Sequence, residues 1–152
     1  MHSIWIILKF QMGVFVSNSF VHLVGKYSLS REQAVSDIRA GFPVALLQDT
    51  SKFFDLPVAQ IRKIAGVPST TAHNWSRQNA NMDAAASERL WRMADVTAMA
   101  VDVFGGEEGA KRWLTSPNRS LQGSAPLEFL DTEPGAIAVR QVLNAIAIGG
   151  AA

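Results

Sequence analysis

Apolar residues recur at spacings of three and four along most of the chain, and the breaks between these repeats fall at glycine, proline and capping residues. Ser30 reads as a helix cap with Gln33 at the box position three residues on, and Ala34, Val35 and Ile38 then share an apolar face. Gly41 stops that helix, and Pro43 allows a new start in its first turn. Val44-Ala45-Leu46-Leu47 opens a helix that Asp49-Thr50-Ser51 either breaks or carries on to Phe54. Phe53, Phe54 and Leu56 predict a packed knot just before Pro57. Ile61, Ile64 and Ala65 stripe a short helix ending at Ala65. Gly66 can turn the chain through a positive φ, and Pro68-Ser69 open a second short helix with Ala72 and Trp75 inward.

The longest repeat follows. Asn81 or Asp83 caps a helix running to about Phe104, with Leu90, Met93, Thr97, Val101 and Phe104 in register and Ala86, Ala94 and Ala100 permitting close approach. This helix bridges the two halves of the chain or carries a dimer seam. Gly105-Gly106 end it, and Glu107 to Leu114 form a short helix with acids first and bases last, as the helix dipole prefers. Turns at 116–118 and 123–126 surround an anchoring Leu121, and Pro126 begins a brief helix holding Leu127, Phe129 and Leu130. Thr132 caps a last helix over 133–148, with Ile137, Val142, Leu143, Ile146 and Ile148 apolar. Strand alternation with hairpin turns is missing, except as one reading of the N-terminus, so the fold class predicted is all-α.

Residues 1–24 are strongly apolar, yet Lys9, Gln11, Gly13 and Ser17-Asn18-Ser19 interrupt them too often for a membrane span. A signal peptide would need a basic start, which is missing here. The stretch reads as an N-terminal extension, either docking on a partner or preceding a later start at Met12.

The 152 residues suit one globular domain or two small ones, and 48% apolar against 18% charged residues describe a folded, greasy chain with surface to spare for a partner. The chain has no cysteine, which excludes disulfides and thiolate metal sites, and His2, His22 and His73 are scattered, so no metal or cofactor is expected. The net charge of +1 hides an asymmetry: residues 1–93 hold ten Lys/Arg and six Asp/Glu, residues 94–152 four and seven. A basic front and an acidic back point to two different partners.

In the basic half, two short helices across a tight turn make a helix-turn-helix unit, whose second helix can lie in a DNA major groove. The same pattern fits an ordinary αα-hairpin with a polar outer face. Thr70, Thr71, His73, Asn74 and Arg77 point outward. Asn74 suits adenine and Arg77 guanine or phosphate, while Thr70 and Thr71 suit phosphates or a thymine methyl. Only His73 and Arg77 can be cationic on this helix, which predicts weak DNA binding by a monomer and a need for several copies. P-loop and Rossmann glycine patterns and a nucleophile elbow are all missing from the sequence, so no enzyme activity is expected.

The order Val103-Phe104-Gly105, Ala110, Trp113-Leu114, Pro117-Asn118, Leu121, Gly123, Pro126-Leu127, Leu130-Asp131-Thr132, Gly135, Val139, Leu143, Ile146 and Gly149 resembles the toxin-binding domain of Xre/ParS-type antitoxins. That likeness covers roughly residues 83–149, and about 40–149 with the helix-turn-helix in front. With it the chain divides into an apolar N-terminal extension (1–29), an Xre-like helix-turn-helix domain (30–82) and a helical toxin-binding domain (83–152). The resemblance also implies a cytoplasmic, non-enzymatic protein that neutralises a RES-domain, NAD-degrading toxin and binds its own operator DNA, as a homodimer within a larger complex and away from membranes. The toxin-blocking role would fall to the last helix and the tail 149–152, with Trp113, Arg140, Leu143, Ile146, Gly149, Gly150 and Ala152 as the candidate contacts. Two alternatives remain open: a repressor whose back half only dimerises, and a toxin neutraliser that has lost DNA binding.

Overall fold

The computed structural model describes residues 18–26 and 30–149. Eight α-helices run through them: α1 Ser19–Lys26, α2 Arg31–Ala40, α3 Ala45–Phe54, α4 Val58–Ala65, α5 Ser69–Arg77, α6 Ala84–Phe104, α7 Glu107–Thr115 and α8 Glu133–Ala147. Two 3₁₀ turns, Arg119–Leu121 and Pro126–Asp131, connect α7 to α8. The only extended pairing among the described residues is one isolated bridge between Pro43 and Asn81.

Three helix starts sit where capping chemistry puts them. Ser30 Oγ accepts the Gln33 N–H, Asp83 Oδ1 the Ala86 N–H at 2.8 Å, and Thr132 Oγ1 the Gly135 N–H at 3.1 Å, each satisfying a donor the first turn leaves free. The cap of α6 is therefore Asp83, while Asn81 holds the bridge to Pro43. α3 starts at Ala45, two residues later than a proline-led helix would, and the Pro43 carbonyl accepts the Leu46 N–H at 3.0 Å in the turn that opens it. Thr50 does not break α3, because its hydroxyl donates to the Leu46 carbonyl one turn back.

α6 is the central strut. Leu90, Met93, Val96, Thr97 and Ala100 are fully buried along it, and one hydrophobic core continues from Phe20 to Leu143 around it. α1, α2 and α4 pack on α6 from the front of the chain, and α7, α8 and the second 3₁₀ turn from the back.

Two expectations need correction. The described part of the N-terminal extension is not an appendage, because α1 is built into the core. Phe20 is 0% exposed and stands 5.0 and 5.4 Å from the rings of Phe53 and Phe54, so the aromatic knot has three members. The alternative start at Met12 and the remainder of that apolar stretch lie outside the described residues. Val35, expected on the inner face of α2, is 48% exposed, since Ala34 takes the buried position beside it.

Candidate nucleic-acid and partner surfaces

The turn between α4 and α5 is closed by backbone and braced by a side chain. Gly66 sits at φ 70°, and the Val67 N–H reaches back to the Arg62 carbonyl at 2.9 Å, satisfying the end of α4. Arg89, on α6, donates from Nη1 to the Ala65 carbonyl at 3.2 Å. A Cβ on Gly66 would lie 2.8 Å from that same guanidinium nitrogen. The positive φ favours glycine here, and a Cβ would in addition have to displace the flexible end of the Arg89 side chain.

α5 lies on the surface, and none of its residues is buried. Ala72 and Trp75 pack half-buried against the core, as their spacing predicts. Thr70, His73, Asn74 and Arg77 are exposed, while Thr71 is half-buried and so less available than its neighbours. An open groove of about 630 Å³ runs beside α5, between it, α4 and the start of α3. Gln48 and Arg62 line it together with His73, Ser76, Asn79 and Asn81. Neither Gln48 nor Arg62 was singled out from sequence, because only the packing of three helices brings them to this face.

At the other end, α8 turns Gly135, Ala136, Val139 and Leu143 inward. Leu143 is 0% exposed and cannot touch a partner unless the helix leaves its seat, so it is a core residue and not a contact. Arg140, expected to be a polar contact, spends its guanidinium within the chain, 3.0 Å from Asp95 of α6 and 3.4 Å from Glu133. Arg92, which drew no notice in the sequence, is 6% exposed. It meets Glu88 at 2.8 Å, Glu133 at 3.2 Å and the Leu130 carbonyl at 3.1 Å. An α6 position inside an apolar repeat gives no local sign of such a role.

The outer face of α8 is different. Ile137 is 47% exposed and Ile148 87% exposed, two of the three large apolar side chains exposed among the described residues. Ile146 is half-buried, and Gly149 is exposed at φ 90°. Trp113 is half-buried against Phe104, with ring centroids 5.6 Å apart. Gly150 and Ala152 lie outside the described residues.

Each of the two surfaces falls within a region that matches a known family domain. Residues 33–95 match the Antitoxin Xre-like helix-turn-helix domain, and residues 99–149 the Antitoxin Xre/MbcA/ParS C-terminal toxin-binding domain. The chain is 30% identical to an Antitoxin Xre of Yersinia enterocolitica over 116 residues, 76% of this chain and 78% of that protein. The chain belongs to the Xre/ParS-type antitoxin family. An Antitoxin Xre of Photorhabdus laumondii is 28% identical over 134 residues, 88% of this chain and 90% of its own length. One from Pseudomonas putida is 44% identical over 63 residues, 41% of this chain and 40% of that protein.

Family identity makes the protein a non-catalytic regulator with a toxin-binding C-terminal domain behind a DNA-binding helix-turn-helix. The family fold is the one described above, all-α in both parts. The seam between the two matched regions, residues 96–98, falls inside α6 and not in a linker. No described helix is long and apolar enough to cross a membrane.

Proposed function

We propose that this protein is the antitoxin of a RES–Xre toxin–antitoxin pair. In this reading it neutralises an NAD-degrading RES-domain toxin by covering the toxin's active site, and represses its own operon through α5. The observation that carries the toxin half is the outward face of α8. Ile137 stands exposed in the first half of the final helix of the region matched to the toxin-binding domain, and Ile148 is exposed at the cap that closes that helix. Exposed apolar side chains of this kind are what a protein interface buries at its centre. Ile137, Ile148 and Gly149 make the primary contact, Ile146 and Trp113 border it, and the tail through Gly150 and Ala152 enters the toxin's cleft. Arg140 holds α8 in position and does not bind toxin directly.

For the operator, Asn74 and Arg77 reach base edges, with Thr70, His73 and Thr71 at the edges of the contact. The sparse positive charge of α5 favours a homodimer within the toxin complex, which presents two recognition helices to one site. The test is co-expression with the product of the adjacent gene. NAD degradation should be silent in the complex and appear when the partner is released. Operator shifts should fall sharply in N74A and R77A with the fold intact. A repressor without toxin affinity would show the shifts and no complex.

A further inference from the structure

The groove beside α5 is lined by basic and neutral polar side chains together with apolar ones. Arg62 and His73 line it with the neutral hydrogen-bonding side chains of Gln48, Ser76, Asn79 and Asn81, and no Asp or Glu is among its lining residues. Arg62 forms no ion pair among the described residues, and it is half-buried, so part of its side chain is already ordered. A second groove of about 450 Å³, between α1, α2 and α3, is lined by Asp37 and Asp49 and offers no such environment. Of these two grooves, the first is the one whose lining suits an anion.

α5 itself carries one permanent cation, Arg77. Stable seating on a duplex takes several phosphate contacts, which fix register and supply most of the sequence-independent affinity. We propose that the groove seats the phosphodiester backbone of one DNA strand while α5 lies in the major groove, with Arg62 as the charged contact and Gln48 and Asn79 as neutral ones. His73 lines the groove and is exposed on α5, so it stands at the boundary between backbone and base edges. The inference rests on the DNA-binding half of the proposed function and adds the backbone contacts that the recognition helix lacks.

The test measures binding of the full chain, and of its toxin complex, to a duplex from upstream of its own gene and to a random duplex, across a range of salt. Losing one phosphate contact lowers the log–log salt slope by about 0.9, which at 0.1 M salt is roughly an 8-fold loss of affinity. R62Q should show that loss equally on both duplexes, with its melting temperature unchanged. Q48E, which places a carboxylate at an exposed position in the groove, should weaken both duplexes at least as much. If the wild-type protein binds DNA and R62Q binds it with the same affinity and slope, the groove assignment is overturned while the operator reading stands. If neither the chain nor its complex binds any duplex, both fall together. A titration with inorganic phosphate separates the remaining source: saturation of the Arg62 side-chain resonances, with duplex affinity unmoved in R62Q, would mark a small-anion site and overturn the DNA assignment.

Discussion

Arg92 of α6 and Glu133 at the first position of α8 form an ion pair at 3.2 Å, with the arginine 6% exposed and its hydrogen bonds going to Glu88 and the Leu130 carbonyl. Arg140 answers from α8 to Asp95 of α6 at 3.0 Å. Each helix thus sends an arginine to the other's carboxylate, and this exchange fixes the helix assigned to the toxin on the helix that carries the DNA-binding half. R92A removes a buried cation and strands the Leu130 carbonyl. Glu88 and Glu133 are partly solvated, so the loss is smaller than for a fully buried pair, about 2–3 kcal/mol by urea unfolding. R92K should recover only part of this, because an ammonium lacks the fork that meets Glu88 through both Nε and Nη2.

Gly135 is the tightest point of that seat. A Cβ there would stand 1.9 Å from the Phe129 carbonyl oxygen and 2.9 Å from its carbon, and this is backbone that cannot swing aside. G135A should cost about 3 kcal/mol and loosen the start of α8. Hydrogen exchange across α8 should rise well before that in α4.

Leu143 of α8 and Ile148 at its C-terminal cap should part stability from binding. L143A empties a fully buried site and should cost about 3 kcal/mol in chemical unfolding. I148D acts on a side chain 87% exposed and should change stability by less than about 0.5 kcal/mol. Its effect should appear in partner affinity, lowered more than tenfold by calorimetry.

At the turn, G66A should destabilise the chain by about 1–2 kcal/mol from the left-handed backbone angle alone. Combined with R89A the increment should shrink, since the guanidinium nitrogen 2.8 Å from the new Cβ is gone. A double-mutant cycle with a coupling energy near zero would show that Arg89 does not brace the turn.

These relationships also show what the sequence could disclose. Gly66, Gly105 and Thr132 act on neighbours within a few residues, so their turns and caps are legible in the local pattern. The periodic stripe of α6 is legible for the same reason. Phe20 is not, because its burial depends on Phe53 and Phe54 more than thirty residues away. Arg92, Arg62 and Gln48 escape for the same cause: their partners or neighbours are set by helix packing and not by spacing. Leu143 is a mirror case, where an apolar stripe was visible but the split between its inward and outward members was not.

The central claim is that α8 and the tail behind it silence a toxin. The most direct measurement is NAD degradation by the product of the adjacent gene, assayed in complex with this chain, in complex with I148D, and alone. The account predicts silence in the first, partial activity in the second and full activity in the third. A partner that leaves NAD intact when freed, or that remains equally active with the wild-type chain bound, would contradict it.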